Sequence, residues 1–146
     1  MTPKKILVCT DFSENSAPAL RLAVDYAKAF NAELIMVHVV EASLLPPYVD
    51  WAPDEIDRIL LRTKESAEGH LAELATQYAK DIPNIRTITA VGSVSGEVVA
   101  LANRENVDLI VVGTHGRSGV KYLVMGSVAR NILKTAHRPI LIVEGL

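Results

Sequence analysis

The densest group of chemistry-bearing residues runs from Gly113 to Ser127, Gly-Thr-His-Gly-Arg-Ser-Gly-Val-Lys-Tyr-Leu-Val-Met-Gly-Ser. Gly113, Gly116, Gly119 and Gly126 are four of the 8 glycines in the chain. Glycine allows backbone N–H groups to turn toward a ligand with no Cβ in the way. Thr114, Ser118 and Ser127 add hydroxyls, and Arg117 and Lys121 add positive charge. Gly126-Ser127 falls where the last helix should begin, and a helix N-terminus favours anions. These features point to a phosphate site, against the alternative of a long loop punctuated by glycine. A P-loop is excluded because no Gly-Lys-Ser/Thr tripeptide occurs. A dinucleotide fingerprint is missing after the first strand.

Charge gives the same direction. The formal net charge is −2, yet Leu109 to Val143 holds no Asp or Glu and carries Arg117, Lys121, Arg130, Lys134 and Arg138, leaving −7 on the rest. A cationic segment on an acidic chain suggests a local anion site rather than a generally basic surface. Nucleic-acid binding through this segment is therefore disfavoured.

The elements that must position these residues are legible. Five apolar runs, Ile6–Cys9, Leu34–Val40, Ile85–Val91, Leu109–Val112 and Ile140–Val143, read as strands, most of them buried on both faces. Ile85–Val91 alternates and reads as the more exposed one. Helical stripes fill the gaps: Leu20, Ala23, Val24, Ala27 and Phe30 after a cap at Ser13; Ile56, Leu60, Thr63, Ala67, Leu71, Leu74 and Tyr78 after Pro53; Val98, Val99, Leu101 and Ala102 after a cap at Ser95; and Val128, Ile132 and Leu133 ahead of Pro139. Strict alternation of strand and helix predicts an α/β layer fold with a parallel sheet. In such sheets ligands sit beyond the carboxyl ends of the strands. That rule selects Thr10–Ser13, Val39–Glu41, Gly92–Gly96 and the segment from Gly113 onward. Asp11 there either caps the first helix or meets a ribose or adenine, and the crevice position favours the latter.

Composition sets the remaining bounds. With 146 residues, 49% hydrophobic and 22% charged, the chain is expected to form one domain over residues 1–146. Cys9 stands alone, so no intrachain disulfide is possible. The apolar start is too short for a signal peptide and no stretch suits a bilayer, so a cytoplasmic address and no membrane partner are expected. His38, His70, His115 and His137 lack the spacing of a helical metal pair, and no metal site is expected. His38 reads as a hydrogen-bonded structural residue. Trp51 and Tyr48 sit in a proline-containing loop and read as its anchors.

Gly113-x-x-Gly116, nine residues, then Gly126-Ser127 resembles the ATP-binding signature of the universal stress protein family. Lys4-Lys5-Ile6-Leu7-Val8 followed by Thr10-Asp11-Phe12-Ser13, His38-Val39, Val111 to Gly116, and Arg138 to Val143 are also similar to that family, so the likeness spans essentially the whole chain. The resemblance implies a three-layer, open, parallel five-stranded sheet of order 3-2-1-4-5, Rossmann-like and of the adenine nucleotide alpha hydrolase-like type. It implies that Asp11 lies against the nucleoside, with Cys9 and Thr10 beside it, and that Val39 meets adenine through its backbone. Gly113, Gly116, Gly126 and Ser127 would hold ribose and phosphates, with Thr114, His115, Arg117, Ser118, Gly119 and Val128 close by. Cys9 departs from the proline or other small residue of many members, and Val94 departs from a Gly-x-Pro pattern. Implied further are ATP, with or without Mg²⁺, as the ligand, a nucleotide-dependent regulatory role toward an unidentified protein partner, and a homodimer through Ile140–Val143. The alternative is a slow ATP hydrolase or a phosphoryl or adenylyl transferase.

Overall fold

The computed structural model describes residues 1–41, 52–82, 84–114 and 125–144. Its strands are β1 (Lys5–Cys9), β2 (Glu33–Val40), β3 (Ile85–Val91), β4 (Leu109–Gly113) and β5 (Ile140–Val143). Its helices are α1 (Ala17–Phe30), α2 (Pro53–Tyr78), α3 (Val94–Arg104) and α4 (Ser127–Thr135), with a short 3₁₀ turn at Glu14–Ser16. All strand pairs are parallel and the order is β3-β2-β1-β4-β5. The expected α/β order is therefore present.

Burial explains the composition of each strand. β1, β2 and β4 lie inside the sheet, and seven of the eight β2 residues are buried. Ile6, Val8, Leu34, Met36 and Val111 face α1 and α2, where they meet Leu20, Val24 and Leu71. Leu7, Ile35, Val37, Ile110 and Val112 face α3 and α4, where they meet Val98, Leu101 and Ile132. Two apolar layers on one sheet require strands that are apolar at every position. β3 lies at one edge and exposes Arg86, Thr87 and Val91, as its alternation foretold.

Two helix starts differ from expectation. Ser13 does not cap α1; it leads into the 3₁₀ turn, and α1 begins at Ala17 with Pro18 in its first turn. The Ser13 side chain is drawn instead toward Asp11. The cap of α3 is Ser93, not Ser95: Ser93 is extended and its Oγ accepts the Gly96 N–H at 3.2 Å. The chain reaches Ser93 through Gly92 at φ 151°, where an added Cβ would meet Glu97 Oε1 at 2.7 Å. Only glycine fits that turn.

The α2 stripe is buried only at Ala67 and Leu71. At 26 residues α2 is about 39 Å long, whereas β3 spans about 23 Å, so the front half of the helix outruns the sheet.

Candidate functional site

The parallel register decides which expected residues share one end of the sheet. Cys9 lies opposite Val37, and Val8 lies opposite Val111. Asp11 after β1, Val39 on β2 and Gly113 ending β4 therefore stand at the carboxyl ends of three adjacent strands. The N-terminus of α4 reaches the same end, because Gly126 N–H donates to Thr114 O at 2.7 Å. Thr114 N–H in turn donates to Val143 O of β5 at 2.9 Å. One backbone bond thus ties Gly126 to Thr114, the residue after Gly113. His115, Gly116, Arg117, Ser118 and Gly119, with Lys121, Tyr48 and Trp51, lie outside the described residues.

The turn after β1 is built from short polar side chains. Thr10 is buried, its N–H donates to Val37 O at 2.9 Å, and its Oγ1 lies 3.1 Å from Ser16 Oγ. The same Oγ1 accepts the Phe12 N–H at 3.1 Å. The Thr10 hydroxyl is therefore used within the turn. Asp11 Oδ1 accepts the Ser13 N–H at 2.9 Å and the Ser13 hydroxyl as well. That arrangement sets one carboxylate oxygen and leaves Asp11 half-buried at the rim. Phe12 follows at φ 65°, a left-handed conformation uncommon for an aromatic residue. His38 is buried and hydrogen-bonded, as its place on β2 suggested: its Nδ1–H donates to Thr10 O at 2.9 Å.

The electrostatics of this end are graded. Burial pushes the Cys9 thiol up to about 12, and the charges of Asp11 and Glu41 push in the same direction. The β1–β2 corner is thus a poor place for phosphate and a suitable one for hydroxyls or a base. The anion-favouring side is the α4 N-terminus, where Gly126 is the N-cap and Ser127 opens the helix with no acidic residue in the first turn. Val128 is half-buried and packs against the second core layer, so it orients this turn through contact rather than charge. Among the described residues, Thr114 Oγ1 is buried and has no hydrogen-bond partner. A buried hydroxyl left without a partner costs about 1–3 kcal/mol, which a bound phosphate or ribose oxygen would relieve.

The cationic segment does not form one patch. Arg130 stays near the α4 start, its Nη2 donating to Met125 O at 3.0 Å. Lys134 lies in the last turn of α4. Arg138 sits at the other end of the sheet, where Nε donates to Asn103 Oδ1 at 3.1 Å and Nη1 to Val107 O at 2.7 Å. Contiguity in sequence overstated the positive charge at the site. A concavity of about 530 Å³, lined by Asn103, Asp108, His137 and Arg138 among others, also lies at that opposite end and contains none of the expected site residues.

A parallel sheet of order 3-2-1-4-5 with polar turns and a helix N-terminus gathered at its carboxyl end defines a Rossmann-like α/β protein. The chain belongs to the universal stress protein family, whose model matches residues 2–144. It is 33% identical to the universal stress protein MJ0531 of Methanocaldococcus jannaschii, over 97% of this chain and 82% of that one. It is 31% identical to MJ0577 of the same organism, over 97% and 94% of the two chains. The solved structure of MJ0577 superposes with a TM-score of 0.80 at 27% identity, covering 99% and 97% of the two chains. A universal stress protein solved in complex with cAMP shares the fold at a TM-score of 0.73 and 24% identity, covering 100% of both chains. Among the described residues no helix is long and apolar enough to cross a membrane.

Proposed function

We propose that this protein binds an adenine nucleotide, ATP with or without Mg²⁺, in the crevice at the carboxyl ends of β1, β2 and β4. It would act as a nucleotide-dependent regulatory module of the stress response in the cytoplasm. The carrying observation is the bond from Gly126 N–H to the carbonyl of Thr114, the residue after Gly113, beside a buried Thr114 hydroxyl that has no partner among the described residues. In this reading adenine meets the backbone at Val39, and ribose meets Asp11 beside Cys9 and Thr10. The phosphates lie toward Gly113, Gly116, Gly126 and Ser127, away from the negative Asp11–Glu41 corner. Thr114 to Gly119 and Val128 would be close by. The solution of a same-fold protein with cAMP shows that this fold can accept an adenine nucleotide in that protein.

The protein would act as a homodimer joined along β5. That strand is an edge, its four apolar residues are only half-buried, and apolar edges are normally covered. Sedimentation at micromolar concentration should give the mass of two chains. The occupied dimer would present its state to a regulatory protein partner.

The test is calorimetric titration of ATP into the purified protein, after any released small molecule has been identified by mass spectrometry of denatured material. Saturable binding is expected, and it should be lost when Gly116→Val and Gly126→Val are combined in a chain that keeps its circular dichroism. Unchanged affinity in that folded variant would sink the site. Absence of binding in the parent would sink the function.

A further inference from the structure

We propose that His38 is a positioning residue for nucleotide recognition: it grips both neighbours of Asp11 and so aims the carboxylate, without touching ligand itself. The inference rests on the adenine-nucleotide reading above, with Asp11 at the ribose. His38 is 5% exposed. Its Nδ1–H holds the carbonyl of Thr10, the residue before Asp11, at 2.9 Å. Its ring stacks on Phe12, the residue after Asp11, with centroids 4.5 Å apart and planes 27° from parallel. Phe12 sits at φ 65°, a conformation that persists only where surrounding contacts over-determine it. Those contacts are the His38 ring, the edge of His70 at 5.1 Å, and the Thr10 hydroxyl that receives the Phe12 N–H.

The consequence is geometric. With its flanking residues held from β2, Asp11 has one backbone path, and Ser13 then sets its Oδ1. His38 is also the residue immediately before Val39. One side chain therefore ties the ribose-facing end of β1 to the adenine-facing end of β2. A leucine of similar bulk would fill the space but could neither donate to Thr10 O nor stack on Phe12.

The experiment compares ATP with its dideoxyribose analogue, which lacks the hydroxyls that Asp11 would receive. Dissociation constants are measured for the parent, His38→Phe and His38→Asn, with thermal melts as a folding control. The parent should prefer ATP by about tenfold, the scale of one charge-assisted hydrogen bond. His38→Phe keeps a ring but loses the donor, and its preference should fall below about threefold. His38→Asn restores an N–H at the Nδ1 distance from Cβ, and should recover most of the preference. A folded His38→Phe with the parent's preference overturns the inference, as does equal weakening of both nucleotides, which a merely structural role would produce. A parent that binds both nucleotides equally overturns it too. Should His38→Phe not fold, Phe12→Leu removes the stack while sparing the Thr10 bond, and an unchanged preference there is equally fatal. A parent that binds neither nucleotide overturns the nucleotide reading itself, a result distinct from the others.

Discussion

The two ends of the parallel sheet use polar residues in opposite ways. At the amino ends of the strands, charges answer one another. Arg86 of β3 pairs with Glu33 of β2 and with Glu105 beyond α3, while Lys5 Nζ donates to Glu105 O at 2.9 Å. Asp108 Oδ2 accepts the N–H groups of Lys4 and Lys5 at 2.9 and 3.0 Å, and Arg138 braces Asn103 and Val107. At the carboxyl ends the polar groups shape turns, with Thr10 bonded to Ser16 and Phe12 and Asp11 to Ser13. The buried side-chain oxygens that lack partners among the described residues, Thr89 Oγ1 and Thr114 Oγ1, both lie toward this end. The end richer in ion pairs is thus the structural one. The concavity around Arg138 lies among these paired groups.

Chemical modification should show the contrast most strongly. With its thiol pushed up to about 12 from 9.0, Cys9 in the folded protein should react with iodoacetamide at pH 8 about a thousandfold more slowly than in the unfolded chain. Comparable rates would mean that the corner is wetter and less negative than the structure shows. The sign for stability follows: a raised thiol pKa leaves the folded state undisturbed below pH 9, and stability falls as pH rises from 9.0 toward 12. Cys9→Ala should flatten that alkaline limb of a melting profile.

Asp11→Ala comes next. Loss of the charged acceptor from the proposed ribose position should weaken ATP about a hundredfold, measured by calorimetry, beyond the change in melting temperature that the lost Ser13 bonds bring. The reverse pattern is expected at the other end. Asp108→Ala strands two backbone N–H groups and should cost about 1–3 kcal/mol in urea unfolding, with ATP affinity within about twofold of the parent. Should Asp108→Ala damage binding as much as Asp11→Ala, the division between the ends would be wrong.

The smallest effect belongs to Arg86. Its side chain is 43% exposed, so solvent screening limits Arg86→Leu to under about 1 kcal/mol, shrinking further with added salt. The hydrogen bond from Arg86 holds the Glu105 carboxyl below its ordinary 4.5, so this pair contributes above that pH and fades as pH falls through the lowered value. The difference between the parent and Glu105→Gln in melting temperature should therefore vanish in acid and be flat above pH 5.

Much of this was readable in order along the chain. Apolar runs located all five strands, because a strand buried on both faces has few polar positions to confuse the pattern. The interval Gly113-x-x-Gly116, nine residues, Gly126-Ser127 pointed to the family that the family model then matched, since backbone approach to a ligand restricts residue type directly. Helix caps were less legible. Ser13, Ser93 and Ser95 are equivalent as letters, and only φ and ψ show that Ser93 is extended and poised to receive the Gly96 N–H. Nothing in the letters distinguishes Arg138 from Arg130 either, yet the fold sends them to opposite ends of the sheet.

What the sequence by itself determined is therefore local: strand and helix periods, the glycine spacing, the excess of cations after Leu109, and through these the family. Tertiary structure alone decided which polar groups satisfy one another. The left-handed Phe12, the His38 donor on Thr10 O and the burial of the Thr114 hydroxyl depend on strands that lie far apart in the chain. Hydrogen bonding and burial are properties of neighbours in space, and parallel crossovers make those neighbours distant in sequence.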